Sequence, residues 1–524
     1  MVSYVKAVAG ASAIASLLPA LAAYAQPAPT TGGTYYHALE AAVTCIDPPT
    51  QIFHVALNVG RQLVDSLVDQ DPQTGAIVPW IAERWDISED AQTFTFHLRQ
   101  GSHFADGAPI DAAAVQANID RIAALGPRAV GAAPLLIGYT GTEVIDPQTV
   151  RITFDRPAVQ FLQALSGAWF GLISPNDLGK SADALCAGDF AGSGPFITAS
   201  YQGDTEIVLQ RRDGYDSHSS LAGHTGDAYV DALHLVVIPE AGNRAGAVQT
   251  GEVHSASNIA FQHVPVLEQL GLTLLSPHIP GMTESLIFNR ETAIGQDDAV
   301  RQAIQHAINS EELIRTVWGP SWTPRTAVLS ESTPGWADFS DLLTFDEGRA
   351  NAILDEAGWL RGEDGFRSRD GQRLSVRIIM SSPASDQLVK QQLAAVGIDY
   401  NIERLDSATS TARVQAGEYD IYKWQMTRAD PAILNAVWNS NRTSQGVARS
   451  PASELDDLLL VQESAIDTAA RAAAAADVQR YLIENALVVP LVDRAWTYAI
   501  HPSGQGLRLD GETKLVFFDV FTDR

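Results

Sequence analysis

Apolar residues in this chain are spread over many short runs, and this distribution most constrains what the chain can fold into. The hydrophobic fraction is 46% of 524 residues. Yet beyond residue 25 no stretch approaches the roughly eighteen consecutive apolar residues of a transmembrane helix. The apolar residues must therefore be buried by packing strands and helices together. A chain of this length exceeds what one hydrophobic core usually serves, so the sequence predicts a globular protein of two or three lobes.

Strand-like and helix-like periodicities alternate along the chain. Residues 93–99 alternate polar and apolar side chains, which predicts a half-buried strand. Asp111 precedes an Ala-rich segment, where it predicts the N-cap of a helix ending near Ala124, and a longer amphipathic helix is predicted over 298–318. The later part of the chain predicts helices around 345–357, 386–396 and 469–486, and strands around 375–379, 400–405 and 488–492. With no repeat of fixed period, the pattern indicates a mixed α/β fold.

The first 25 residues differ from the rest of the chain. Lys6 is their only charge, an Ala-rich apolar run follows it, and small residues lie at Ala23-Tyr24-Ala25. This is typical of a cleaved signal peptide over residues 1–25, so we expect export to the periplasm. A membrane anchor is the alternative, but the apolar run is short and Pro19 interrupts it.

Charge and cysteine content limit the partners and the compartment. The formal net charge is -27, and a surface this acidic repels phosphate backbones, so nucleic acid is excluded as an expected partner. The two cysteines are Cys45 and Cys186. In an oxidising compartment they would form one disulfide, and two free buried thiols are the alternative that the sequence leaves open.

Motifs of catalysis are absent from the sequence. It contains no Gly-x-Ser-x-Gly elbow, no His-Glu-x-x-His pair and no phosphate-binding loop. His218 and His224 lie in a Gly- and Ser-rich segment without the companions of a metal site, and the cysteines lack zinc-site spacing. We therefore predict a protein that is not an enzyme and that carries no cofactor or metal.

Several blocks of sequence, in a fixed order, carry a resemblance to a known family. The first block is Val78-Pro79-Trp80-Ile81-Ala82-Glu83-Arg84-Trp85, followed by the strand at 93–99 and Phe104-Ala105-Asp106-Gly107. The second is Val300-Arg301-Gln302-Ala303-Ile304-Gln305-His306-Ala307-Ile308-Asn309. The third runs from Phe345-Asp346-Glu347-Gly348-Arg349-Ala350-Asn351 to Ala357-Gly358-Trp359. In this order they resemble the extracytoplasmic solute-binding proteins of ABC importers, in the peptide, nickel and opine class (family 5). The resemblance covers nearly all of the chain from about Thr34.

The resemblance implies a fold and partners. The expected fold is α/β and periplasmic-binding-protein-like, with two lobes joined by hinge strands and an extra N-terminal α/β subdomain. Lobe I would comprise 26–58, 190–285 and 490–524, the extra subdomain 59–189, and lobe II 286–489. The expected partners are a small-molecule ligand, held between the lobes, and the permease subunits of an ABC transporter. The protein itself is expected to be a monomer.

By resemblance, four segments should line the cleft. They are Ala42-Val43-Thr44-Cys45, Met282-Thr283-Glu284-Ser285, Met380-Ser381-Ser382 and the segment from Lys423 to Pro431. Peptide receptors of this class commonly have an Asp three positions after a Trp, where it binds the ammonium group of the peptide. Here Trp424 matches the aromatic residue, but Thr427 stands in place of the Asp and Arg428 follows it. A hydroxyl beside a fixed cation suits a carboxylate better than an ammonium group.

The candidate ligand-binding residues are Trp424, Thr427, Arg428, Asp430, Trp438, Glu284, Thr44 and Tyr35. Several alternatives stay open: Asp430 as the N-cap of the next helix, Arg428 exposed to solvent, and the tryptophans as core residues. Asp430 or Glu284 would supply an ammonium site in place of the missing Asp. The predicted ligand is a peptide or a peptide-like acidic or zwitterionic molecule. A metal chelate or siderophore-like anion, a sensory role and, least favoured, a secreted hydrolase are the alternatives.

Overall fold

The computed structural model describes residues 29–379, 383–441 and 448–523. The predicted signal peptide at 1–25 and the predicted cleft segment Met380-Ser381-Ser382 lie outside these residues. Among the helices of the described part, none is both long and apolar enough to cross a membrane. Strands and helices are both abundant, which confirms the mixed α/β prediction.

Three larger sheets organise the described residues. The first has the spatial order Thr273–Leu275, Tyr498–Ile500, Ser255–Ala256, Thr34–Leu39, Ala232–Val237, Glu206–Arg211 and Phe196–Gln202. The second has the order Thr323–Pro324, Val488–Asp493, Glu284–Phe288, Ile421–Trp424, Ser375–Ile379 and Asp399–Glu403. The third has the order Ala82–Ile87, Thr93–Leu98, Thr149–Phe154 and Tyr139–Asp146. We call them the seven-, six- and four-stranded sheets.

Short strand pairs and the helices complete the fold. The small sheets are Val68–Gln70 with Ile77–Pro79; Leu360–Arg361 with Arg367–Arg369 and Gln372–Arg373; Gly504–Gln505 with Phe521–Thr522; and Arg508–Leu509 with Leu515–Val516. The α-helices are His54–Gly60, Ala112–Leu125, Gln160–Ala164, Ala182–Cys186, Ala241–Thr250, Val264–Gln269, Ala293–Gln296, Asp298–Ala307, Ser310–Leu313, Glu347–Glu356, Pro383–Ala395, Ser407–Ala416, Ile433–Trp438, Glu454–Ser464 and Thr468–Glu484. Separate hydrophobic clusters cover each of the three larger sheets.

Capping residues decide where the helices begin and end. The carboxylate of Asp111 accepts a hydrogen bond from the backbone N–H of Ala114 at 2.9 Å, so the predicted N-cap is confirmed. The single long helix predicted over 298–318 is wrong. Its first part ends at Ala307, and the side chain of Asn309 caps a new helix by accepting from the N–H of Glu312 at 3.0 Å. The apolar period continues across this break because both pieces pack on the same core.

Cys45 and Cys186 form a disulfide, which resolves the alternative that the sequence left open. The bridge joins the segment after the first strand to the short helix Ala182–Cys186, across a sequence separation of 141. The backbone N–H of Ile46 also donates to the carbonyl oxygen of Cys186 at 2.9 Å. The disulfide therefore fixes the start and the end of the long insertion that contains the four-stranded sheet.

Two segments carry the chain between the seven-stranded and six-stranded sheets. One connects Leu275 to Glu284 and the other connects Asp493 to Tyr498. The two segments are antiparallel and paired through their backbones, because Ile279 N–H donates to the carbonyl oxygen of Arg494 at 2.9 Å and Trp496 N–H donates to that of Pro277 at 3.2 Å. We call these two stretches the crossing segments.

Candidate functional site

The central strand of the six-stranded sheet begins at the sheet edge where both of its neighbours end. Glu284–Phe288 pairs antiparallel with Ile421–Trp424 on one side and with Val488–Asp493 on the other. The residues that follow these two neighbours are therefore delivered to one edge, beside the crossing segments. Glu284–Phe288 and Val488–Asp493 are buried along their whole length, so the edge is held rigidly.

Arg428 lies at this edge and is buried, with 3% of its surface exposed. The alternative in which it faces solvent is therefore wrong. Its backbone N–H donates to the carbonyl oxygen of Pro280 at 3.0 Å, which ties its loop to a crossing segment. Among the described residues no hydrogen-bond partner exists for its Nε and Nη2. Burial lowers the pKa of Arg428, and the nearby carboxylates of Glu512 and Asp430 oppose that shift.

Arg494 lies on the second crossing segment, directly after the strand Val488–Asp493. It is also buried, and its Nε and Nη2 likewise find no partner within the described part of the chain. Burial lowers the pKa of Arg494 to about 10, against the opposing effect of Glu284 and Asp493. A buried cation without a hydrogen-bond partner is costly, so these donors indicate that a further group completes the site.

Glu284 is the first residue of the central strand, so it lies at this edge. Its side chain is almost fully buried, and one of its oxygens lies 3.7 Å from Nζ of Lys423, beyond hydrogen-bond distance. Lys423 instead donates to the carboxylate of Asp386 at 2.6 Å and to the hydroxyl of Ser385 at 2.9 Å. Burial raises the pKa of Glu284, whereas Lys423 and Arg494 favour its ionised form.

The seven-stranded-sheet side supplies the opposite wall. Glu512 and Lys514, in the hairpin between Arg508–Leu509 and Leu515–Val516, are both buried. Burial raises the pKa of Glu512 and lowers that of Lys514, and each group partly counters the shift of the other. The ring of His54 stacks on Trp496 with centroids 5.0 Å apart. Burial, together with the cations Lys514 and Arg494, holds the pKa of His54 well below its usual value.

These residues are linked by electrostatic coupling and by one ring stack, and we call the set the chamber. Its members are Glu284, Arg428, Arg494, Glu512 and Lys514, with the aromatic pair His54 and Trp496. Three formal cations face two formal carboxylates, so the chamber carries one net positive charge when both carboxylates are ionised. A small ligand with anionic groups therefore complements it.

A groove leads towards the chamber. Two adjoining cavities of about 480 and 580 Å³ share walls from both sides of the molecule, at Pro72, Gln73, His278, Ser332 and Gly511. Ala429 and Gly511, the sequence neighbours of Arg428 and Glu512, also line the larger cavity. The larger cavity therefore reaches the backbone next to two members of the chamber. We call these two cavities the interlobe groove.

The remaining predicted site residues lie at different depths. Trp424 is half-buried at the end of its strand, opposite Ser285, and Thr427 is half-buried in a backbone bridge with Gly281. That bridge requires a glycine: Gly281 has φ +114°, and a Cβ there would lie 2.1 Å from the carbonyl oxygen of Met426. Thr44 is exposed, one residue before the disulfide.

Three predicted candidates are already engaged elsewhere. Asp430 is buried and accepts two hydrogen bonds from Arg471, at 2.6 and 2.7 Å, while one of its oxygens accepts from Ala432 N–H at 2.8 Å. The N-cap of the helix Ile433–Trp438 is Ala432, so the alternative of Asp430 as that N-cap is wrong. Both oxygens of Asp430 are engaged by Arg471, so they do not form the ammonium site that the sequence suggested. Trp438 and Tyr35 are buried within the hydrophobic clusters of the six- and seven-stranded sheets.

Sequence reasoning missed five members of the chamber, namely His54, Arg494, Trp496, Glu512 and Lys514. One signal for Arg494 was present: the charged pair Asp493-Arg494 directly follows the all-apolar run 488–492. A charge at the end of a fully buried strand is typical of a site at a sheet edge. No local sequence pattern marks Glu512 and Lys514 as site residues. They reach the chamber through the tertiary position of their hairpin.

Comparisons with known proteins agree with this architecture. The family model described as bacterial extracellular solute-binding proteins, family 5 (middle), matches residues 76–446, well over half of the chain. The chain belongs to this family. A curated relative, the glutathione-binding protein GsiB of Salmonella paratyphi A, is 29% identical over 341 residues, which is 64% of this chain and 62% of the relative.

Solved structures show the two-lobed fold. NikA from Brucella suis, in complex with Fe(III)-EDTA, matches with a TM-score of 0.80 at 24% identity, over 94% of this chain and 100% of that one. DppA from Helicobacter pylori, in complex with the peptide STSA, matches with a TM-score of 0.76 at 22% identity, over 94% and 99%. The predicted periplasmic-binding-protein-like fold is thereby confirmed.

Proposed function

We propose that this protein binds a small, peptide-like solute that bears a carboxylate, and delivers it to an ABC importer. The observation that carries the proposal is the pair of buried arginines, Arg428 and Arg494, whose Nε and Nη2 donors are unpaired among the described residues. Leaving a buried donor unpaired costs about 1–3 kcal/mol, and more when it is charged. An anionic ligand group at these donors removes that cost.

The relatives support this choice of ligand. GsiB is a glutathione-binding protein, and the DppA structure contains a peptide. Both kinds of ligand carry free carboxylates, which match the guanidinium groups of the chamber. Thr427, where an acidic residue would suit an ammonium group, is consistent with recognition through the anionic part of the ligand.

Ligand binding is coupled to closure of two lobes in this proposal. Lobe I comprises 26–58, 190–285 and 490–524, with the extra subdomain at 59–189, and lobe II comprises 286–489. The crossing segments connect the lobes, and the chamber draws residues from both. A ligand that contacts both walls binds the closed form more tightly and shifts the population towards it. The closed form is then the one that the permease subunits recognise.

The proposed setting is the periplasm, reached through cleavage of the signal peptide at 1–25. The protein acts there as a monomer, has no chemical step to perform and does not bind nucleic acid. Its role is to bind the ligand and to present it to the transporter. The family membership supports the periplasmic setting, and the strongly acidic net charge of -27 supports the absence of nucleic-acid binding.

Isothermal titration calorimetry on the purified mature protein tests the proposal. The probes are glutathione, the peptide Ser-Thr-Ser-Ala, an opine and Fe(III)-EDTA, with a neutral sugar as control. We expect saturable 1:1 binding of at least one carboxylate-bearing peptide-like probe and none of the sugar. If every probe fails to bind, the proposal is refuted.

A metal chelate is the second candidate, because the cationic chamber also suits a polycarboxylate. Binding of Fe(III)-EDTA that exceeds binding of all peptide-like probes would favour it. The link to transport is then tested by comparing uptake of the bound probe in two strains of the native host, one with and one without the gene that encodes this protein. Equal uptake by both strains would contradict a transport role.

A further inference from the structure

Arg428 and Arg494 leave the same two nitrogens unpaired. In each, Nε and Nη2 are buried and without a hydrogen-bond partner in the part of the chain that the structure describes. These two nitrogens form one edge of the planar guanidinium group, where two parallel N–H bonds can meet the two oxygens of a carboxylate. The chamber therefore presents two separate forks, each shaped for one carboxylate.

Other buried arginines use these donors within the protein. Arg244 donates from Nε and Nη2 to the carbonyl oxygens of Ser257 and Asn258, each at 2.7 Å. Arg325 donates from Nη2 to the carbonyl oxygens of Gln305 and Ile308, at 2.7 and 3.0 Å. Within the described residues, Arg428 and Arg494 are the two arginines whose Nε and Nη2 are both buried and unpaired. An unused fork is thus a property of the chamber and not of buried arginines in general.

The carboxylates of the protein near these forks do not occupy them. Glu512 and Glu284 act on Arg428 and Arg494 electrostatically, but neither forms a hydrogen bond to the free nitrogens. The adjacent carboxylates are engaged by other groups. Asp430 pairs with Arg471 and Asp386 pairs with Lys423, whereas Oδ2 of Asp493 accepts from the hydroxyl of Ser330 and the N–H of Glu331. The forks therefore remain for groups that the ligand brings.

Charge balance narrows the ligand further. With Glu284 and Glu512 both ionised, the chamber carries one net positive charge, which a ligand of net charge minus one neutralises. A molecule with two carboxylates and one ammonium group has this charge. Glu284, buried and with an oxygen free of hydrogen bonds among the described residues, is the acceptor that the chamber offers to the ammonium group. A simple peptide with one carboxylate and one ammonium group leaves one fork empty and the positive charge unbalanced.

We propose that the ligand is a small dicarboxylate carrying one amino group, and that Arg428 and Arg494 each bind one of its carboxylates through Nε and Nη2. This inference depends on the proposed function, because it assigns the ligand class of the same site. Acidic dipeptides, γ-glutamyl peptides and amino-dicarboxylate conjugates all belong to this class.

The experiment measures affinity for probes that differ by one carboxylate. The dicarboxylates are glutathione, γ-glutamylglycine and Ala-Glu, and each is compared with its two monoamides; Ala-Ala and Ser-Thr-Ser-Ala are the monocarboxylate peptides. A lost bidentate charge-assisted pair should weaken binding about ten- to a hundredfold. We expect at least one dicarboxylate to bind, and both of its monoamides to bind at least about tenfold more weakly.

Variants assign each carboxylate to its arginine. Arg428→Lys and Arg494→Lys keep the charge but lose the fork, and Arg84→Lys, on an exposed side chain, is the matched control. Each chamber variant should bind the dicarboxylate more weakly than the unmodified protein does. Each variant should also bind the dicarboxylate no more tightly than one of the two monoamides, namely the one that lacks the carboxylate held by the replaced arginine. The two variants should differ in which monoamide this is. Thermal unfolding of each variant confirms that it is folded.

Two outcomes would overturn this inference while leaving the proposed function intact. One is that Ala-Ala or Ser-Thr-Ser-Ala binds as tightly as the dicarboxylates. The other is that both chamber variants respond identically to the two monoamides, which would mean that the arginines contribute charge alone. If none of the peptide-like probes binds, the inference and the proposed function fail together.

Discussion

The disulfide between Cys45 and Cys186 should contribute substantially to stability. It closes a loop with a sequence separation of 141, and the chain-entropy relation for a loop of this size gives about 5 kcal/mol at 25 °C. Native disulfides usually contribute about 2–5 kcal/mol, because the reduced chain keeps residual structure. We therefore expect about 2–5 kcal/mol for this bridge.

Urea denaturation followed by tryptophan fluorescence measures this contribution. The comparison is between the oxidised protein, the same protein with a reductant, and the double variant Cys45→Ser with Cys186→Ser. We expect the last two to unfold at the same lower urea concentration, because both lack the bridge. The reasoning is refuted if the unfolding free energy falls by less than about 1 kcal/mol, or if thiol titration of the unfolded, unreduced protein finds two free cysteines.

Further predictions concern the site and the crossing segments. Trp424→Ala should weaken ligand binding by about 1–3 kcal/mol with unchanged thermal stability if the ring stacks on ligand; lost stability with unchanged affinity would place the ring in the core. Asp430→Ala should lower the unfolding free energy by about 3–5 kcal/mol, because it leaves Arg471 unpaired, and chemical denaturation checks this. The carboxylate of Asp493, 3.2 Å from Nδ1 of His278, raises the pKa of His278, so the added stability is present at low pH and is lost as the pH rises through the raised value. His278→Asn should flatten that part of the profile of melting temperature against pH, and an unchanged profile would contradict this assignment.

The fold could be predicted where each element carries its own signal. The alternation at 93–99 marks a strand with one buried face, and Thr93–Leu98 shows that alternating burial. Asp111 marked a helix start because its carboxylate satisfies a backbone donor at that place. The break in the predicted helix over 298–318 could not be found from the apolar pattern, because both helical pieces pack on one core and keep the same apolar spacing. The signal for the break is Asn309, whose side chain caps the second piece.

The chamber was predictable only in part. Glu284 and Arg428 lie in segments that the family resemblance marks, whereas Glu512 and Lys514 reach the chamber through tertiary structure alone. The hypothesis that Asp430 holds an ammonium group was reasonable from its position next to Pro431. Its actual partner, Arg471, comes from a helix 41 residues further along the chain, and no local pattern pairs the two. Long-range pairing of charges is the information that the one-dimensional sequence lacks.

The position of Arg494 on a crossing segment has a mechanical consequence. When two rigid bodies bend about a shared axis, points on the axis move least. The N–H of Ile279 on the opposite crossing segment donates to the carbonyl oxygen of Arg494, so in the proposed closure we expect the fork of Arg494 to move little. A carboxylate bound there would then keep its contact while the lobes change their angle. The first contact of the ligand is thereby placed on the part of the protein that closure disturbs least.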